Sequence, residues 1–155
     1  MTNQPSAGAP SFRSLAHSDA EALLARNHVG RIAFTFHDRV DIEPVHYVYA
    51  DGWIYGRTSP GTKLSTIAHN RWVAFEVDES TGLFDWSSVV VKGGVELVTN
   101  EAGAHEHVYH HAVALLRTLS PFALTENDPA PNRSVIFRIH LDEVHGRQAT
   151  SSAES

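Results

Sequence analysis

Hydrophobic and polar residues alternate along most of this chain, with the period of two that is typical of a half-buried β-strand. Polar turns interrupt the alternation, and the clearest of them is Asp51-Gly52, a pair that favours a tight two-residue hairpin. The pattern predicts six strands, over residues 30–36, 40–50, 53–58, 71–78, 85–99 and 134–145. Gly93-Gly94, inside the fifth strand, indicates either a β-bulge or a place where another segment approaches closely.

Three stretches have helical spacing instead, over residues 18–27, 59–70 and 100–119. The first begins with Ser18 and Glu21, which have the spacing of a capping box. Ser59 suits the N-cap of the second helix and Pro60 its first position. Asn100 is the expected cap of the third helix.

Six strands, of which the first three form consecutive hairpins, and three helices favour a mainly β fold: a six-stranded antiparallel split barrel carrying peripheral helices. At 155 residues the chain fits one domain, which we expect to span residues 13–147. Residues 1–12 are rich in proline, serine, alanine and glycine, residues 148–155 are rich in serine and alanine, and both stretches are predicted to be disordered tails. Residues 121–132 hold three prolines, so we expect an irregular connection there, a candidate wall of a substrate pocket.

Composition excludes several classes of function. The formal net charge of −6 argues against a broad nucleic-acid-binding surface. The chain has no cysteine, which excludes disulfides, thiolate nucleophiles and cysteine-based zinc sites. No stretch approaches the ~20 apolar residues of a membrane span, so we expect a cytoplasmic protein without membrane contact.

The predicted start of the second helix is a candidate phosphate site. The amides of Gly61, Thr62 and Lys63 would lie at the positive end of the helix, where anions bind favourably. Arg57 and Lys63 add positive charge to this region of an acidic protein. The simpler alternative is an ordinary helix start with a solvated lysine.

The sequence around this site resembles the pyridoxamine 5′-phosphate oxidase-related family of flavin-binding split barrels, over about residues 30–98. The residues that carry the resemblance are Gly30-Arg-Ile-Ala, Pro44-Val-His-Tyr-Val-Tyr, Ile54-Tyr55, Gly61-Thr-Lys-Leu64, Val73-Ala-Phe-Glu-Val-Asp78 and Trp86-Ser-Ser-Val-Val-Val-Lys-Gly93. No single motif is diagnostic, but their order and spacing together are fairly specific.

The resemblance implies a homodimer that binds FMN in two grooves at the subunit interface. By position, the residues at 45–47 would follow the isoalloxazine ring, those at 55 and 56 would lie nearby, and those at 62 and 63 would hold the phosphate. Residues 86–88 match a strand start that the family often uses to approach the flavin, commonly from the other subunit. With the cation at 57 and the glycine at 61, the predicted cofactor site consists of Val45, His46, Tyr47, Tyr55, Gly56, Arg57, Gly61, Thr62, Lys63, Trp86, Ser87 and Ser88.

Two departures from the family restrict the implied activity. The C-terminal stretch from Arg138 to Arg147 has no tryptophan, unlike the vitamin-biosynthetic oxidases, and Gly56 stands where members linked to nitroimidazole reduction tend to have histidine. We therefore expect an FMN-dependent oxidoreductase acting on an unidentified small substrate, with no catalytic side chain of its own. The alternative is a non-catalytic module that binds a flavin, a deazaflavin or haem.

Eleven histidines raise the question of a metal site. His107 and His111 would share one helical face, but Val108 stands where the metalloprotease motif has glutamate, so we expect no metal. His46 is either a core histidine bonded to a carbonyl or a donor at the flavin edge. The tryptophans at 53, 72 and 86 are mainly core candidates.

Overall fold

A computed structural model describes residues 9–67, 69–103 and 105–152. Within these ranges the chain forms eight strands and three helices. In chain order they are β1 (Ser11–Ser14), α1 (His17–Arg26), β2 (Val29–Phe36), β3 (Arg39–Ala50), β4 (Trp53–Thr58), α2 (Lys63–Ile67), β5 (His69–Gly82), β6 (Asp85–Val98), α3 (Glu106–Leu116), β7 (Val135–His140) and β8 (Glu143–Thr150).

Six of the strands close into an antiparallel barrel. The order around the barrel is β6, β5, β2, β3, β4 and β7, and β7 pairs again with β6. β8 and then β1 extend the sheet from β6. The predicted six-stranded, mainly β barrel with three helices is confirmed.

One edge of β6 pairs with two different strands, so only part of β6 helps to close the barrel. Its first half pairs with β8 and its last four residues pair with β7. Gly93 lies at the changeover, where an added Cβ would come 1.8 Å from the carbonyl oxygen of His140. This short distance confirms the predicted close approach. The alternative prediction of a bulge is wrong, because Gly93 and Gly94 pair in regular register with Val73 and Trp72.

The main core fills the barrel and is covered at one side by α1. Leu23 and Leu24 of α1 are fully buried against it. A second cluster lies under α3, outside the barrel wall. It consists of Tyr55, Val98, Ala112, Val113, Leu116 and Ile136. Among the described residues, no helix is long and apolar enough to cross a membrane.

The first two helices exist where they were expected, but their predicted starts are wrong. α1 begins at His17 after Ala16, so Ser18 lies inside the helix and makes no capping bond. α2 begins at Lys63, because Ser59 to Thr62 form a turn in which Ser59 O accepts the Thr62 N–H. The Thr62 hydroxyl, rather than Ser59, caps α2 by accepting the Ser65 N–H at 3.2 Å.

The third helix and the last predicted strand are shorter than expected. α3 has His105 at its N-cap, so the prediction of Asn100 as the cap is wrong. The predicted strand over 134–145 is two strands, β7 and β8, because the chain turns at Leu141, whose N–H binds the Gly52 carbonyl at 3.1 Å.

Both predicted tails contain ordered strand residues. β1 pairs with β8 from Ser11 opposite Thr150 to Ser14 opposite Arg147. The prediction of disorder is therefore wrong for residues 11–12 and 148–150. Their hydrophobic alternation is too short to indicate a strand until the pairing of β1 with β8 is known. Residues 1–8 and 153–155 lie outside the described residues.

Candidate functional site

A cavity of about 370 Å³ opens where β3 and β4 separate. β3 pairs with β2 over residues 39–46, but it pairs with β4 only over 47–50. The cavity occupies the space beyond that point. Its walls are Glu43, Pro44, Val45 and His46 from β3; Arg57, Thr58, Ser59 and Thr62 from the end of β4 and the next turn; and Leu116, Leu119, Ser120, Ala130 and Arg133 from the far side.

The hydroxyls on the β4 side form a directed chain. Thr62 Oγ1 donates to the Ser59 carbonyl at 3.0 Å and lies 3.0 Å from Thr58 Oγ1. Because Thr62 has one hydroxyl proton, Thr58 must be the donor in the second contact. Within the described part of the chain the Ser59 hydroxyl makes no hydrogen bond, so it is the hydroxyl that can turn to a ligand.

Arg57 has its guanidinium group turned toward the segment beyond α3. It forms an ion pair with Asp128 and donates to the carbonyls of Ala130 and Arg133, at 3.1 and 2.8 Å. The Asp128 carboxylate also accepts the backbone N–H of Leu124, which is the main reason that its pKa is held below its usual value. The predicted role of Arg57 in phosphate binding competes with these contacts.

Lys63 lies outside the cavity wall. Its Nζ is 3.0 Å from the carboxylate of Asp41 on β3, and its side chain is half exposed. Gly61 has a φ of +76° and forms the turn before α2. Of the three residues whose amides were expected to bind phosphate, only Thr62 lines the cavity.

The three neighbouring predicted residues on β3 have different surroundings. Val45 and His46 line the cavity, and His46 is exposed, so the alternative of a core histidine is wrong. Tyr47 faces the barrel interior, where its hydroxyl donates to the Leu24 carbonyl at 2.7 Å and its burial raises its pKa. Tyr47 is not among the residues that line the cavity.

Tyr55 and Gly56 belong to the barrel wall rather than to the cavity lining. Tyr55 is buried in the cluster under α3, with its ring edge-on to His111 at 6.1 Å. Gly56 lies against Phe137, where an added Cβ would come 2.5 Å from the ring.

Trp86, Ser87 and Ser88 are separated from the cavity in a single chain. They lie on β6, and β5 and β2 stand between them and β3, so the separation is roughly 14 Å along the sheet. Ser87 lines a smaller depression with Arg13 and Arg26. The exposed ring of Trp72, expected in the core, lies on the outer face of the same sheet.

The far wall of the cavity was only partly predictable. The prolines marked residues 121–132 as irregular, but nothing local connected this segment with β4. The contact depends on Arg57 and Asp128, which are 71 residues apart. In the described ranges, no three His, Asp or Glu side chains come together as metal ligands.

Comparison with known proteins places these features in a family. Residues 16–148 match the family model described as pyridoxamine 5′-phosphate oxidase, and the resemblance found in the sequence is thereby confirmed. A search of curated proteins found no match.

Solved structures share the fold over nearly the whole chain. A FAD-binding protein from Mesorhizobium loti is 29% identical, with a TM-score of 0.71, covering 92% of this chain and 99% of that chain. A conserved protein of unknown function from Corynebacterium diphtheriae is 28% identical, with a TM-score of 0.66, covering 90% and 98%. The FAD-binding protein from Mycobacterium smegmatis is 22% identical, with a TM-score of 0.66, covering 91% and 100%, and is similar in fold.

Proposed function

Since this chain belongs to the pyridoxamine 5′-phosphate oxidase family, we propose that it binds a flavin in the cavity between β3 and β4. We further propose that the flavin is FMN and that the protein is an oxidoreductase acting on a small substrate. The observation that carries the proposal is the cavity itself, which combines an unpaired strand edge, hydroxyls and an apolar wall. These are the groups that a flavin requires.

The β3 wall fits the ring system. On the cavity side, residues 43–46 have no strand partner among the described residues, so backbone N–H and C=O groups on that side are free to bind a ligand. The flavin ring edge carries both donors and acceptors that can complete such a strand. Leu116 and Leu119 supply apolar surface opposite, and His46 can donate to the ring edge.

The β4 wall fits the phosphate. The Ser59 hydroxyl has no partner in the described ranges, and Arg133 contributes an exposed guanidinium from the far side. Lys63 could contribute once its contact with Asp41 is exchanged for one with the phosphate. Hydrogen bonds from charged groups to phosphate are the stronger kind, so these cations would dominate the anchoring.

The size of the cavity favours FMN over the larger FAD. A volume of about 370 Å³ is near the lower end of the range for small-molecule sites, roughly 300–1,000 Å³. FAD is the second candidate, because the Mesorhizobium loti protein at 29% identity is named as FAD-binding. The adenosine part of FAD would have to lie outside the cavity.

We propose a homodimer as the functional unit. Val40, Ile42 and Trp72 are 77%, 66% and 64% exposed on the outer face of β3 and β5. This apolar face adjoins Glu43 to His46 of the cavity wall on the same strand. A second copy seated there would cover the open side of the cavity and could bring its own residues 86–88 to the flavin.

When bound, the flavin would supply the hydride or electron transfer. The protein would hold the phosphate through Ser59 and nearby cations, orient the ring along β3, and exclude water through the apolar far wall. No side chain is assigned a covalent role.

A binding experiment tests the cofactor. Purified protein is titrated with FMN, FAD and riboflavin, and flavin fluorescence and calorimetric heat are measured. We expect FMN to bind most tightly, and Ser59→Ala to weaken FMN more than riboflavin, whereas Ser14→Ala on the distant β1 leaves both unchanged. Absence of binding by all three flavins would overturn the proposal, and tighter binding of FAD would select the second candidate.

A second measurement separates an enzyme from a binding module. Bound flavin is mixed with NADH or NADPH without oxygen, and its absorbance is followed before and after an acceptor is added. Reduction followed by reoxidation supports an oxidoreductase. Stable binding with neither donor able to reduce the flavin favours the non-catalytic alternative.

A further inference from the structure

Arg57 and Asp128 form a buried ion pair beside the cavity, here called the clasp. The Arg57 side chain is 10% exposed and that of Asp128 is 2% exposed. Three of the five guanidinium N–H groups are used on Asp128 and on the carbonyls of Ala130 and Arg133. The clasp therefore joins the end of β4 to the segment beyond α3.

Asp128 organises that segment, residues 119–133, here called the wall segment. Its two carboxylate oxygens accept the backbone N–H of Leu124 at 2.7 Å and of Ala130 at 2.9 Å. Leu124 has a φ of +62°, a conformation that a leucine adopts only when its surroundings require it. One carboxylate thus fixes the path of a segment that has no regular secondary structure.

The wall segment forms much of the far side of the cavity. Leu119, Ser120, Ala130 and Arg133 all line it, and Arg133 is the residue whose carbonyl Arg57 holds. Asp128 itself does not line the cavity. The clasp therefore holds the segment that supplies these four lining residues.

We propose that Arg57 is a positioning residue, which with Asp128 holds the wall segment in the conformation that accepts the flavin. This inference rests on the proposed function for its ligand. Removing one partner of a buried ion pair leaves the other charge buried and unpaired, so the wall segment would open. If the closed form fell to one molecule in ten, affinity for any cavity ligand would fall about tenfold.

The test compares FMN with riboflavin, which lacks the phosphate. For Arg57→Ala, a positioning role predicts the same fold-loss of affinity, roughly tenfold, for both flavins. A direct contact between Arg57 and the phosphate would instead weaken FMN alone, and that result would overturn the inference. Arg57→Lys, which keeps the charge but cannot form the same fork, should give a smaller and equal loss for both.

The opposite side of the clasp supplies an independent check. Asp128→Asn should also weaken FMN and riboflavin equally, and the double variant should be no weaker than either single variant, because both changes open the same contact. Arg138→Gln, which breaks a partly buried ion pair with Glu96 outside the cavity lining, is the control and should leave both affinities unchanged. Additive losses would contradict the inference.

A flavin-free readout separates this inference from the proposed function. Amide hydrogen exchange in residues 119–133 should become faster in the Arg57 and Asp128 variants, while the barrel strands keep their protection. Unchanged amide exchange in residues 119–133 would overturn the proposed positioning role of Arg57 and Asp128, even if FMN binds. If no flavin binds to the unmodified protein, the proposed function fails while this measurement still decides the clasp.

Discussion

Tyr47 is the predicted site residue whose side chain lies deepest in the protein. Its ring is fully buried and meets Phe75 edge-on at 4.9 Å. Its hydroxyl donates to the carbonyl of Leu24 near the end of α1. The phenol therefore ties β3 to the helix that covers the barrel.

Replacing Tyr47 with phenylalanine tests this structural role. The change removes a buried hydrogen bond and leaves the Leu24 carbonyl without that donor, so we expect a loss of about 1–2 kcal/mol in the free energy of unfolding, measured in urea. Tyr49→Phe is the control, since its hydroxyl bonds the partly exposed Glu21 and should matter less. A fall in FMN affinity without loss of stability would show instead that the phenol serves the flavin.

What could be predicted for single residues depended on the range of their contacts. The alternation along β3 puts His46 and Tyr47 on opposite faces of the strand, but the prediction placed both residues along the flavin. In the structure His46 lines the cavity and Tyr47 lies in the core. The partners of Arg57 and Lys63 could not be predicted, because they are set by the closed barrel and lie 71 and 22 residues away. The sequence therefore suggested that both cations bind phosphate, whereas in the structure Arg57 is paired with Asp128 and Lys63 with Asp41.

At the scale of elements, the hydrophobic pattern located the strands but not all of their ends. Alternation marks a strand wherever one face is buried. Five of the six predicted strands exist as single strands, and the sixth is divided into β7 and β8. Element ends depend on distant partners instead: the Gly52 carbonyl binds Leu141 at the break between β7 and β8, and β1 pairs with β8, which lies at the other end of the chain. Such pairings are invisible in a local window of sequence.

Glu79 makes the junction between α1 and β5 sensitive to pH. Its carboxylate accepts hydrogen bonds from Arg26 and Asn27, which lower its pKa to about 2. A group whose pKa is lower in the folded state stabilises the protein above its unfolded pKa, and that contribution disappears as the pH falls through the folded pKa.

We therefore expect Glu79→Gln to reduce stability at neutral pH and to have progressively less effect as the pH falls from about 4.5 toward 2. Denaturant unfolding at a series of pH values measures this difference. The effect should be modest, because both partners are substantially exposed. Glu126→Gln, at an exposed position, is the control, and a difference that grows at acidic pH would contradict the assignment.

At the scale of the whole molecule, the outer face of β3 and β5 determines whether the cavity is complete. Exposed Val40, Ile42 and Trp72 lie beside a shallow apolar depression. Large exposed apolar patches of this kind mark interaction surfaces. The proposed homodimer uses this face, and with it the residues at 86–88 of each copy.

A charge placed on this face should separate the subunits. We expect Trp72→Glu to give a monomer by sedimentation velocity, because an unpaired carboxylate would be buried at the interface, and to weaken FMN binding. Phe122→Glu, which places the same charge on another exposed aromatic, should leave the oligomeric state unchanged. A monomeric unmodified protein, or a Trp72→Glu dimer, would contradict the proposed assembly.

β1 also bears on whether the edge of the sheet can pair with another chain. β8 runs along β6, and without β1 its other edge would present unpaired backbone groups from residue 147 to residue 150, a template for strand addition by another chain. β1 covers that edge with only four residues, all exposed, and is itself too short to recruit a further strand. A strand that adds little to the core thus protects the sheet against aggregation through its edge.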